Sequence, residues 1–354
     1  MSAKLKFGVV GTSWYTEYFH LARLKECPEA VLYAICGRNR SRAEEMATKY
    51  AIPQVFTDYH EMIERAGLQA LIVATPDDLH YLVTMAGLEA GLHVFCEKPL
   101  AMNSTQAKEM LDKAEGVGVK HMVCFTFRWL PFHKWIKRLI EEGYLGKWYM
   151  INIRYDGDYG QEYSWRFDKE QSNGILADLG SHAIDLARWY VGNITQVGGL
   201  LSTIMPRNGP NGQPMDSAND AAVMTLRFAN GAQGIIQVSA VAEMGQTEHQ
   251  QHVILYGEGG TLEMHFYLLG GGEVLGIRRG EKEFKKLEIP GEFFGTNEKN
   301  TPFDIMTVPL GHQSFIDAIL NDRDVEPSFL DGYKAQLVID AVMESHRQGK
   351  LINI

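Results

Sequence analysis

The chain has 354 residues, 45% of them hydrophobic and 22% charged, with a formal net charge of −10. This length can bury two cores, so two domains are expected, and the composition is that of an ordinary soluble globular protein. The negative balance, with no Lys/Arg stripe to offset it, argues against nucleic acid as a partner, and no apolar stretch is long enough to argue for a membrane.

The first third alternates strand and helix patterns. Leu5–Val10 reads as a strand ending at Gly11, Tyr18–Lys25 as a helix, Val31–Cys36 as a strand, and Ser41–Tyr50 as a helix with Ser41 as its N-cap. Ala70–Ala74, Leu79–Ala90, His93–Cys96, Asn103–Gly116 and His121–Phe125 repeat the unit. Apolar strands alternating with helices predict a parallel sheet covered on both faces, an α/β Rossmann domain over residues 1–125. After a helix at Pro131–Glu142, long strands dominate: Trp148–Tyr155, Val197–Thr203, Ala221–Phe228, Ala232–Val241, Val253–Tyr256 and Thr261–His265. Asn230-Gly231 and Gly257–Gly260 are turn signals. Gly270–Gly272 is too short to count as low complexity. With helices at Gly174–Val191, His312–Leu320 and Gly332–Arg347, residues 126–354 are expected to form an α+β domain with a large, mostly antiparallel open sheet. The scattered Cys27, Cys36, Cys96 and Cys124, and a polar start that runs straight into a strand, point to reduced thiols in a cytoplasmic protein without a signal peptide.

The chemistry-bearing segments fall at the carboxyl ends of the first domain's strands, where such sheets bind ligands. Gly11-Thr12-Ser13-Trp14 occupies the place of a glycine-rich phosphate loop, although only the first glycine of G-x-G-x-x-G is kept and Ser13 and Thr16 replace the others. Its bland reading is an ordinary strand-to-helix turn. Gly37-Arg38-Asn39-Arg40 ends the second strand. It lacks the acidic residue that selects NAD and offers guanidinium groups to a 2′-phosphate, so NADP is preferred and NAD is the alternative. Thr75, Pro76 and His80 are expected on the nicotinamide side, with Asp77 and Asp78 as helix-start acids. Glu97-Lys98-Pro99 follows the strand His93–Cys96, and the proline holds Lys98 extended. Asp178 and His182 lie four residues apart on a predicted helix, giving a histidine able to exchange a proton near neutral pH and a carboxylate to orient it. The bland reading there is a cap and a surface histidine. No H-E-x-x-H or cysteine cluster calls for a metal.

Together the N-terminal loop, Glu97-Lys98-Pro99 and the Asp178-x-x-x-His182 helix resemble the family of glucose–fructose oxidoreductase, inositol dehydrogenase and their relatives, over essentially the whole chain. The resemblance implies that Lys98 is catalytic together with Asp178 and His182, and that Trp165-Arg166 matches a pair found near the nicotinamide. It also implies assembly as a homodimer or homotetramer through the open sheet. The activity implied is hydride transfer between NAD(P) and a secondary alcohol or ketone of a small sugar, cyclitol or related polyol. An NAD-dependent glycosidase with transient oxidation and a non-enzymatic sugar or nucleotide sensor are the alternatives.

Overall fold

The computed structural model describes residues 4–294 and 310–354. The chain divides into two compact units, each taken by itself below. The first comprises residues up to Phe125 together with Thr307–Gln336, and the second comprises Thr126–Met306 and Leu337–Ile354. A late segment of the chain thus returns to the first unit. Apolar and ring contacts account for that return: Phe315 packs on Phe95, and Phe329 lies against His121.

Among the described residues the first unit holds six parallel strands: β1 (Leu5–Val10), β2 (Ala30–Cys36), β3 (Gln54–Phe56), β4 (Ala70–Val73), β5 (His93–Cys96) and β6 (His121–Val123). Their order is β3-β2-β1-β4-β5-β6, the doubly wound arrangement of a dinucleotide-binding sheet. β4 is buried at every position, as a strand covered on both faces must be. The first helix, α1, is π-wound over Thr16–Leu21 before continuing as α-helix through Ala22–Lys25. The helices α2 (Arg40–Tyr50), α3 (Tyr59–Arg65), α4 (His80–Glu89) and α5 (Ser104–Val117) follow. Asn39, not Ser41, caps α2: its extended backbone lets its side chain accept from Arg42 N at 3.1 Å, while Ser41 already lies inside the helix. β3 and α3 escape the sequence reading because three half-buried residues make no pattern.

The second unit begins with α6 (Pro131–Glu141), then β7 (Trp148–Gly157), α7 (Gly174–Val191), β8 (Ile194–Ser202), β9 (Ala221–Phe228), β10 (Gln233–Ser239), β11 (His249–Gly257), β12 (Gly260–Tyr267), β13 (Gly271–Arg278) and β14 (Lys285–Lys286). The helix α8 (Leu310–Asn321) belongs to the first unit; α9 (Phe329–Gln348), which runs from the first unit into the second, and the strand β15 (Ile352–Asn353) close the chain. Among the described residues the sheet has nine strands, ordered β14-β13-β12-β11-β7-β10-β9-β8-β15. Only the β7–β10 pair is parallel. On β9, buried Ala222, Met224, Leu226 and Phe228 alternate with exposed positions, so one face is core and the other open. α7 packs on the inner face against β7, β9 and β10. The Asn230-Gly231 hairpin forms as expected, with Gly231 at φ +87°. β13 was not expected: the glycine triplet leaves the turn at Gly270 and opens the strand, with Gly271, at φ +87°, already paired with Tyr267.

Candidate active site

In the first unit the carboxyl ends of four strands are level. One residue past each strand the ladder continues: Gly11 N donates to Cys36 O, Ala74 N to Val10 O, Glu97 N to Val73 O and Cys124 N to Cys96 O, all at 2.8–2.9 Å. The retained glycine of the loop is the one that geometry demands. Gly11 sits at φ +127°, and a Cβ there would lie 2.2 Å from the Ala74 carbonyl oxygen. Ser13, expected to touch phosphate, caps α1 in this structure: its Oγ accepts from Thr16 N at 3.1 Å. Thr16 fills the place of the third glycine and is wholly buried. Thr12 is half-buried beside Gly37, while Trp14 and Arg38 are exposed. The other two arginines near Arg38 are engaged, Arg40 with Glu44 and Arg42 with Glu17 and Glu45.

Thr75 and Pro76 are half-buried, and Thr75 Oγ1 is a buried hydroxyl without a hydrogen-bond partner among the described residues. An unsatisfied hydroxyl at the end of β4, next to a loop built for close backbone approach, fits a polar ligand. His80 differs from expectation. Its ring is buried, with Nδ1 2.7 Å from Pro99 O and Nε2 3.0 Å from Thr75 O. Two carbonyl acceptors require two N–H donors, so the ring is an imidazolium. Burial opposes that charge, but Cys96, Asp77 and the Pro99 carbonyl outweigh burial and push the ring's pKa up to about 10. His80 thus ties the end of β4 to the Lys98-Pro99 turn, whose peptide bond is cis.

Glu97 is also turned inward. Its Oε1 accepts from His20 Nε2 at 2.9 Å, and Oε2 accepts from Lys98 N at 3.2 Å. Burial would raise its pKa, but the hydrogen bond and charge of His20, aided by Lys98, hold it at about 2. His20 Nδ1 meets His312 Nε2 at 3.1 Å. Burial, with His20 and Arg23 nearby, keeps His312 well below the usual histidine range, so it is neutral. Lys98 itself is half-buried.

In the second unit α7 carries Asp178 and His182 one turn apart, both buried. Asp178 Oδ2 accepts from Tyr159 Oη at 2.7 Å and lies 3.2 Å from Arg166 Nε. Burial and the Asp178 charge raise the Tyr159 phenol well above its ordinary value, so it remains a donor. Arg166 stacks on Trp165, with its guanidinium 4.6 Å from the ring centroid. The His182 ring lies against Phe127 at 4.5 Å between centroids. A turn further on, Asp185 takes both arms of Arg128 at 2.6 and 2.8 Å in full burial.

A family model described as the NAD-binding Rossmann-fold oxidoreductase family matches residues 5–125. The GFO/IDH/MocA C-terminal domain matches residues 133–263. The chain belongs to the Gfo/Idh/MocA family of oxidoreductases. Levoglucosan dehydrogenase of Pseudarthrobacter phenanthrenivorans is 28% identical, covering 90% of this chain and 88% of that one. Myo-inositol 2-dehydrogenase of Thermotoga maritima is 28% identical over 73% of this chain and 74% of its own. A solved structure of levoglucosan dehydrogenase in complex with NADH superposes with a TM-score of 0.89 at 26% identity, covering 99% of both chains. This member of the Gfo/Idh/MocA family is thus an NAD-binding dehydrogenase.

One part of this member's architecture escapes the sequence: His20 and His312 carry no motif and lie 292 positions apart. Tyr159, with Tyr163 and Arg166, suggests hydroxyl recognition from sequence in general terms only, and its partner Asp178 comes from the structure. No helix among the described residues is long and apolar enough to cross a membrane.

Proposed function

We propose that the chain oxidises a secondary alcohol of a sugar, cyclitol or related polyol, or reduces the matching ketone. The observation that carries this reading is α7: a buried histidine one turn from a carboxylate already oriented by Tyr159 and Arg166, in a chain whose other unit is an NAD-binding domain. Gly11, Thr12, Ser13 and Trp14 would hold the pyrophosphate side of the cofactor, with Thr75 and Pro76 nearer the nicotinamide. When bound, the nicotinamide supplies or accepts the hydride. His182 takes the proton of the reacting hydroxyl, or returns it in reduction. Lys98 hydrogen-bonds the reacting oxygen and stabilises its developing charge. Asp178 binds a neighbouring hydroxyl or steadies His182, and Arg166 and Tyr159 hold it in place. His80 and Glu97, which the sequence placed at the cofactor, act as positioning residues behind Lys98.

Cofactor choice follows from Arg38. It is exposed at the end of β2, and the turn Gly37-Arg38-Asn39-Arg40 itself carries no acidic residue, so we favour NADP(H) over NAD(H). Named relatives include both an NADP(+)- and an NAD(+)-dependent scyllo-inositol 2-dehydrogenase. The open face of the nine-stranded sheet carries exposed Val223 and Ile235 and favours a homo-oligomer, to be checked by light scattering. The four cysteines are all buried and none is in a disulfide, which favours a reducing compartment such as the cytoplasm.

A panel of cyclitols, aldoses, anhydrosugars and keto-sugars, followed by nicotinamide absorbance with both cofactors, tests the reading. Turnover of at least one class supports it. Cofactor binding with no turnover of any class in either direction would sink it.

A further inference from the structure

The open face of the sheet carries a second constellation, unrelated to the residues above. β11 and β12 pair so that His252 stands directly opposite His265. Glu263 lies two residues before His265 on the same strand, and the strand period of two puts it on the same face. The three side chains converge. Glu263 Oε1 is 2.7 Å from His252 Nε2 and 2.8 Å from His265 Nε2, and one ligand atom from each residue lies within 4.8 Å of the others. The imidazoles are stacked, with centroids 4.1 Å apart and planes 24° apart.

We propose that His252, Glu263 and His265 form a binding site for a single zinc-type divalent cation. In the cation-free state each histidine donates Nε2–H to the shared carboxylate oxygen, which explains the distances. A shift of each ring proton from Nε2 to Nδ1 turns the same three atoms into three lone pairs facing one point, with no net release of protons. Two neutral imidazoles and one carboxylate match the preferences of Zn²⁺, Co²⁺ and Ni²⁺, and they do not match Mg²⁺ or Ca²⁺, which need oxygen ligands. Three ligands leave a fourth tetrahedral position for water. The histidine side chains are 34% and 30% exposed, so an ion can enter from solvent. The surroundings suit a cation. Arg154, opposite His252 on β7, is engaged by Asp156, and Glu273 stands opposite His265 on β13. The other group of similar composition, His20, Glu97 and Cys124, is wholly buried, and the nitrogens of His20 are already engaged.

The experiment uses untagged full-length protein stripped with a chelator. Co²⁺ is titrated with visible absorption as readout, and Zn²⁺ is titrated against a chromogenic chelator. One ion per chain, with Co²⁺ bands of low coordination number and no response to Mg²⁺, is expected. The stoichiometry is read per chain, so it holds whether or not a second copy covers this face. His252→Ala and His265→Ala should each weaken Zn²⁺ binding by more than the ~10–100-fold that loss of an outer-shell partner produces. Glu263→Gln keeps the shape and should remove the Co²⁺ spectrum even if a histidine variant fails to fold. Sub-stoichiometric binding in wild type, or wild-type affinity in Glu263→Gln or in the folded His252→Ala/His265→Ala double variant, overturns the site.

Discussion

The two units handle polar groups in opposite ways. In the first, the charged side chains behind the strand ends face inward: Glu97 holds His20 and the Lys98 amide, and His80 holds two backbone carbonyls. In the second, polar side chains converge on one another along α7, where Tyr159 and Arg166 share Asp178. The contrast assigns the work. The first unit presents backbone and one lysine from a turn held rigidly on its buried side, as close approach of a dinucleotide requires. The second presents side chains, as discrimination among hydroxyl-rich molecules requires.

The sharpest way to break the contrast is at the two groups proposed to touch the reacting atoms. Lys98→Met and His182→Ala should each lower turnover by roughly two to four orders of magnitude and leave cofactor affinity nearly unchanged. The oxidation rate should rise with pH through a histidine ionisation, and this limb should vanish in His182→Ala. Single-turnover hydride transfer separates chemistry from product release. Near-wild-type transfer in both variants would show that neither residue acts in the transition state.

The inward network predicts a stability effect instead. Removing one partner of the His20–Glu97 pair leaves the other buried without its match, a loss of roughly 3–5 kcal/mol, so His20→Ala should melt well below wild type. The pH dependence has a definite sign at each group. Glu97 has a depressed folded-state pKa, so its contribution is complete above its ordinary 4.5 and is lost as pH falls toward about 2. His80 has a raised one, so its contribution is complete below 6.5 and is lost as pH climbs toward about 10. The melting-temperature gap between wild type and His80→Gln should therefore narrow from pH 6.5 upward. A constant gap would mean that the ring is neutral.

Arg38 probes the solvent-facing edge of the first unit. Arg38→Ala should weaken NADP(H) by about 10–100-fold, the worth of a charge-assisted phosphate contact, and leave NAD(H) unchanged. Equal losses for both cofactors would remove the 2′-phosphate assignment.

How much of this was legible in the sequence follows from how far apart the cooperating residues lie. The strands Leu5–Val10, His93–Cys96 and Ala221–Phe228 and the helix Gly174–Val191 agree with the structure because their hydrophobic patterns are local. Lys98, Asp178 and His182 stood out because each sits in a short motif. The inward roles of Glu97 and His80 were not legible, because a strand-end glutamate and a helix-start histidine read the same whether they face solvent or core. The partners that decide it, His20, His312 and the Pro99 carbonyl, come from other elements. The metal-like triad on β11 and β12 escaped for a related reason: its strand spacing, Glu263-x-His265 plus a cross-strand His252, resembles no helical ligand motif.

The smallest expected effect sharpens the second unit's side of the contrast. Tyr159→Phe deletes one hydroxyl from a buried ring and alters nothing else in shape. Its hydrogen bond to Asp178, at 2.7 Å, is made to a charged acceptor, for which mutational losses run about 1.5–3 kcal/mol. Arg166 stays beside the same oxygen, 3.2 Å away, and takes up part of that loss. We therefore expect kcat/KM to fall about tenfold, near the lower end of that range. The way the loss divides is diagnostic. If Asp178 binds a substrate hydroxyl in ground and transition states alike, KM rises and kcat holds. If Asp178 steadies His182 as the proton moves, kcat falls and KM holds. The Tyr159→Phe and Arg166→Lys double variant then measures how strongly the two donors depend on each other, since neighbours sharing one acceptor are not additive. Strict additivity would mean that Tyr159 and Arg166 do not act through the same carboxylate, and the second unit's site would have to be rebuilt around one of them alone.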